Sequence, residues 1–177
     1  MSLDKEQINN LEIIHYPHPV LQQVASKIET LDETVEQLAL KMIDLMHQNR
    51  GVGLAGNQVA VALRIFVANP TGEEGDDRVF INPQIEETSQ WAEQEEGCLS
   101  VPQIYTKIRR HRKLVVTATD LNGNTFETAG EDLLARVVQH EIDHLDGKTI
   151  LDRMSKVARL SNRRQIKYLE EQAESSD

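Results

Sequence analysis

One stretch constrains the fold more than any other: Gln139-His140-Glu141-Ile142-Asp143-His144, an H-E-x-x-H pattern within a segment of helical periodicity. Residues four apart on a helix stand one turn apart on the same side, so His140 and His144 can grip one metal ion with Glu141 beside it as a proton carrier. Leu133, Leu134, Val137, Val138 and Leu145 form the apolar stripe of this helix, and Gly147 can end it. Counting Leu134, Val138, Glu141 and Leu145 puts the Glu141 carboxylate in line with residues that face the core. Burying a carboxylate is costly unless something compensates it, and a metal with its water would do so. The fold must therefore wrap its remaining elements around this helix, and the chemistry points to metal-assisted hydrolysis.

The other elements read more conventionally. Val35, Leu38, Ala39, Met42, Leu45 and Met46 recur at helical spacing from about Asp32 to Asn49, with Asp32 as N-cap and Gly51 as stop. Before it, Pro17 and Pro19 impose an extended or turn conformation that leads into a helix at Val20-Leu21. Short β-branched runs at Arg64 to Ala68 and Arg78 to Asn82 read as strands, joined by an exposed acidic loop over residues 71–77. Lys113 to Asp120 and Thr125 to Thr128 flank Asn122-Gly123, a pair suited to a tight hairpin turn. Beyond Asp152, Val157, Leu160, Ile166 and Leu169 suggest one more helix, trailing into a frayed acidic tail over 170–177. Strands without βαβ alternation predict an α+β fold: antiparallel β-sheets around a central metal-binding helix, with an N-terminal helix and a C-terminal helix, in one domain over 1–177.

A chain of 177 residues with 39% hydrophobic content can bury one sizeable core. Its net charge of −10 argues against a nucleic-acid reader or an anionic membrane as partner. No apolar run approaches the roughly 20 residues of a membrane span, and Met1 to Glu6 lacks the basic and apolar regions of a signal peptide, so a cytoplasmic location is expected. The single cysteine, Cys98, cannot close an intramolecular disulfide or build a multi-cysteine zinc site.

Two histidines leave a hydrolytic metal site one protein ligand short. Cys98, next to Gly97, offers a thiolate suited to Fe²⁺ or Zn²⁺; the plainer alternative is a small buried hydrophobe. Gly51-Val52-Gly53-Leu54-Ala55-Gly56-Asn57-Gln58 lets a backbone or ligand approach closely, and Gln58 adds an amide donor. It is not a phosphate-binding loop, since no Lys-Ser or Lys-Thr closes it, and its plainer alternative is a helix stop followed by a loop.

Taken in order, three motifs resemble the polypeptide deformylase family: Gly51 to Gln58, Glu96-Gly97-Cys98-Leu99-Ser100, and Gln139 to His144. Ile14-His15-Tyr16-Pro17 adds to the likeness, which spans most of the chain. The resemblance implies removal of the formyl group from N-terminal formylmethionine of nascent chains. It implies that Cys98, His140 and His144 bind the metal, natively Fe²⁺, with Zn²⁺, Ni²⁺ or Co²⁺ able to occupy the site. It makes Glu141 the general acid and base, and Gln58 with the Leu99 backbone N–H the stabilisers of the oxyanion. Gly51, Gly53 and Gly97 are expected beside the formyl-Met peptide, and the last helix is a possible site of transient ribosome contact.

Departures from the family pattern stand out. Gly56 and Asn57 replace a common alanine and a variable residue, a change expected to loosen that loop. Tyr105 stands where many bacterial members carry arginine, and it is expected to pack on the sheet, the alternative being that it lines the pocket entrance. Asp143 is expected to pair with Arg110 or Arg109 and brace the metal helix. An H-E-x-x-H metallopeptidase and a noncatalytic peptide-binding descendant are the competing readings; the peptidase would need a downstream third ligand, and no histidine follows His144.

Overall fold

The expected stripe forms helix α3, Asp132–Leu145: Val137, Val138, Glu141, His144 and Leu145 face inward as the spacing placed them, whereas Leu134 is half-buried and Leu133, in the first turn, is exposed. Gly147, at φ 72°, takes the left-handed turn after the helix, where a side chain would collide with the Gln22 backbone. The computed structural model describes residues 3–175.

Five strands surround this helix: β1 Gly53–Ala55, β2 Ile65–Ala68, β3 Arg78–Cys98, β4 Val101–Thr119 and β5 Thr125–Glu131. They form one continuous antiparallel sheet in the order β1-β2-β3-β4-β5, confirming an α+β fold with the strands in a single sheet. Stacked Phe66 and Phe80, with Val116 and Ala118, pack on Val137 and Val138 of α3. Helix α2, Glu33–Gln48, covers β1 and β2 through Leu38, Met42 and Met46. Asp32 caps it as expected, accepting from Val35 N–H at 3.1 Å. Its stop differs: Arg50, at φ 55°, makes the left-handed turn, and the Gly51 N–H donates back to Met46 O at 2.9 Å. Gly51 serves another need there, since a Cβ on it would press against the Leu99 side chain at 2.8 Å.

Several elements depart from the sequence reading. A short helix α1, Lys5–Asn9, precedes the others, held by a reciprocal cap between Asp4 and Gln7. Strand β3 runs to Cys98 rather than ending at Asn82, and β4 begins at Val101 rather than Lys113, the two pairing from Ile81 and Thr119 to Cys98 and Val101. In the following hairpin, Gly123 alone adopts positive φ, and Asp120 holds the turn by accepting from the N–H groups of Asn122 and Asn124. The single C-terminal helix expected beyond Asp152 is two, α5 Lys156–Ser161 and α6 Arg163–Glu174, preceded by a short α4, Ile150–Arg153. The break at Asn162 leaves Val157 and Leu160 exposed, while Ile166 and Leu169 pack against Ile104 and Ile108 of β4. Residues 170–174 of the expected frayed tail are helical, and Ser176 and Asp177 lie outside the described residues.

Candidate metal and catalytic centre

Cys98 at the end of β3 meets His140 and His144 from α3, with one ligand atom from each lying within 4.8 Å of the others. Cys98 Sγ lies 3.2 Å from His144 Nε2, and the two histidine rings stand edge to face. Ligand atoms about a tetrahedral ion, bound at roughly 2.0 to 2.3 Å, are separated by roughly 3 to 4 Å, so these residues fit one divalent ion. The donor set of one thiolate and two imidazoles suits Fe²⁺ or Zn²⁺.

Charge buried behind the helix fixes the His140 ring. Its Nδ1 lies 3.0 Å from Glu96 Oε2; a carboxylate can only accept, so Nδ1 carries the hydrogen and Nε2 is left for a metal. Glu96 in turn accepts from Arg110 Nε at 2.6 Å and Arg136 Nη1 at 2.5 Å. Arg110 also donates to Asp143 at 2.8 Å, and Arg153 donates to the same carboxylate, which therefore binds Arg110 rather than Arg109. Arg109 instead lies outside, over the Trp91 ring. Glu96, Arg110 and Asp143 are each buried, so this is a paired network and not a solvated surface contact. Burial opposes ionisation of Glu96, but hydrogen bonds from His140 and Arg110 outweigh it and draw the carboxyl down to about 2. Sequence reasoning missed Glu96, Arg136 and Arg153 in this role; Glu96 lay inside a quoted motif, yet nothing in its spacing says that it faces His140.

Glu141 has the opposite environment. Burial pushes its carboxyl up to about 7, against the pull of His140 and Arg110, and Oε2 is buried with no hydrogen-bond partner among the described residues. Gly53 makes room for it: a Cβ there would collide with Glu141 Oε1. A carboxyl poised near neutrality, beside the cluster of Cys98, His140 and His144, can take and return a proton.

Gln58 sits on a 3₁₀ turn, Gly56–Val59, directly after β1. The Ala55 N–H donates to its Oε1 at 2.8 Å, which turns the amide nitrogen toward Cys98 Sγ, 3.6 Å away. The loop is clasped rather than loosened. Asn57 Nδ2 donates to Val20 O and Gln23 O, and Gly56 packs where a Cβ would meet Val61 O at 2.6 Å.

Gln58, Cys98, His140 and Glu141 open on one cavity of about 660 Å³, lined also by Gly51, Gly53, Gly97 and Leu99, while His144 is buried outside its lining. Tyr105 is on its rim and 67% exposed, which corrects the expectation that it packs on the sheet. Alternation along β4 explains this, since Ile104 and Thr106 on either side point inward. Its ring covers Gly97, where a Cβ would come within 2.7 Å of it.

Residues 10–160 match the sequence pattern of the polypeptide deformylase family. The peptide deformylase of Rhodopirellula baltica is 44% identical over 146 residues, covering 81% of this chain and 73% of that protein. The peptide deformylase of Legionella pneumophila superposes with a TM-score of 0.86 at 39% identity, over 92% of this chain and 96% of the other. A plant peptide deformylase superposes with a TM-score of 0.92 at 34% identity, over 99% and 95%.

Proposed function

Because this chain belongs to the polypeptide deformylase family, we propose that its cavity removes the formyl group from the N-terminal methionine of nascent peptides, releasing formate and a free amine. The observation that carries this reading is the convergence of Glu141, Gln58, Cys98 and His140 on one cavity, with the buried His144 completing the cluster of Cys98 and His140.

Cys98, His140 and His144 would hold one divalent ion, Fe²⁺ natively, with Zn²⁺, Ni²⁺ or Co²⁺ as substitutes on the softness of the ligands. When bound, such an ion supplies Lewis acidity, polarising a carbonyl and acidifying a water. Glu141 takes the proton of the attacking water and passes it to the leaving amine, a role open to a buried carboxyl on the cavity wall beside Cys98 and His140. Gln58 Nε2 and the Leu99 N–H donate to the formyl oxygen as it gains charge, and the bond from Ala55 keeps the Gln58 amide aimed before substrate arrives. Gly51, Gly53 and Gly97 leave room for the peptide, and β1, an edge strand that lines the cavity, is placed to receive it in extended form.

The reaction belongs where nascent chains emerge, which supports a cytoplasmic location. No helix among the described residues is long and apolar enough to cross a membrane. In a chain of net charge −10, Lys156, Arg159, Arg163, Arg164 and Lys167 cluster on α5 and α6, which supports transient docking on a ribosome. The metallopeptidase reading would need a third ligand after His144, whereas Cys98 lies within reach of both histidines.

The test is product analysis. Anaerobically loaded protein should release formate from a formyl-methionyl peptide and leave the peptide backbone whole; new internal termini in place of formate would assign a peptidase instead.

A further inference from the structure

Segment 14–23 ties together the two loops that carry Gln58 and Leu99. The Ile14 N–H donates to Gln58 O at 2.9 Å, and the Tyr16 N–H donates to Ser100 O at 2.8 Å. Farther along, Val20 O and Gln23 O accept from Asn57, the buried neighbour of Gln58. One short stretch thus holds the backbone of both loops.

The strap is itself anchored at a distance. Tyr16 OH donates to Glu170 Oε1 on α6 at 2.9 Å, across 154 positions of sequence. The Tyr16 ring and Cys98 both pack on the cluster formed by Ile104, Ile166 and Leu169. The last helix therefore grips the side chain of the residue whose N–H fixes Ser100.

We infer that Tyr16 is a positioning residue: anchored by Glu170, it sets the placement of the Leu99 N–H relative to Gln58, and so couples α6 to the rate of deformylation. This rests on the assignment of Gln58 and Leu99 as the two oxyanion donors. Such donors act only when they lie within about 2.7 to 3.1 Å of the developing charge, so small displacements of one loop against the other cost rate rather than binding. A hydrogen bond from a phenol to a carboxylate, half shielded from water, is strong enough to hold that register and weak enough for its loss to leave the fold intact.

The experiment compares full-length, metal-loaded wild type with Tyr16→Phe, Glu170→Ala and the double variant. Each single change should lower kcat about threefold to tenfold with KM within about twofold, and the double should fall no further than the lower single. In the diamagnetic zinc form, the backbone amide of Leu99 and the side-chain amide of Gln58 should shift in nitrogen-proton spectra of both singles. Glu170→Gln, which keeps an acceptor, should restore rate and spectra together. Multiplicative losses in the double variant, or unmoved Leu99 and Gln58 signals, would overturn the inference. The spectra need no turnover, so a wild type that releases no formate sinks the assigned reaction while the spectra still decide the strap.

Discussion

Glu96 and His140 stand 3.0 Å apart, carboxylate oxygen to ring Nδ1, and Arg110 and Arg136 hold the carboxylate from behind. The ring of a proposed metal ligand is thus oriented by a group outside the Cys98, His140 and His144 cluster. Glu96→Ala should weaken metal retention by roughly 10- to 100-fold, the usual cost of losing such support. Metal content after dialysis against a graded chelator measures this, and retention equal to wild type would remove Glu96 from the site.

The same carboxylate gives the metal-free chain a dependence on acid. Its folded carboxyl lies at about 2, below the ordinary 4.5, so its contribution to stability is complete above about pH 4.5 and is lost as pH falls toward 2. Thermal melts of apoprotein from about pH 6 down to 2 should show a falling midpoint. Glu96→Gln should start lower, having lost a charge that Arg110 and Arg136 pair with, and should fall less over that window. Parallel curves for the two proteins would contradict the assignment.

Gly53 is predicted to be intolerant of the smallest side chain. A Cβ there meets Glu141 Oε1 and lies 2.8 Å from Val137 Cγ1, so Gly53→Ala forces the carboxylate out of place. A misplacement on the order of 1 Å costs on the order of 10²-fold in rate. Turnover should fall by that order in Gly53→Ala while metal content stays near wild type and the melting temperature drops with the crowding of Val137; full activity would mean that Glu141 need not sit where it does.

How much of this was readable from the chain follows from what each residue's neighbours reveal. Helix α3 was legible because a carboxylate on an apolar stripe is a local contradiction, visible without any partner. The far half of β3 was not, because residues 86–95 carry few apolar side chains and are mostly exposed, leaving no alternation to read. Strand β4 did carry a signal: Ile104, Thr106, Ile108 and Arg110 alternate inward, and that period places Tyr105 outside. Arg110 masked the pattern, since a charged residue counts as surface until Glu96 and Asp143 are known to meet it. Val157 and Leu160 misled for a simpler reason: the chain breaks at Asn162, so residues at helical spacing no longer share one face.

The proposed reaction turns on Glu141, because its buried carboxyl, without a hydrogen-bond partner among the described residues, has no structural use that an apolar side chain would not serve better. The most direct measurement is formate released from a formyl-methionyl peptide by wild type and Glu141→Gln, each carrying one metal per chain. Wild type should release formate and free amine in equal amounts, and Glu141→Gln should be slower by about 10²- to 10⁴-fold. Equal rates from the two loaded proteins, or no formate from loaded wild type, would contradict the account.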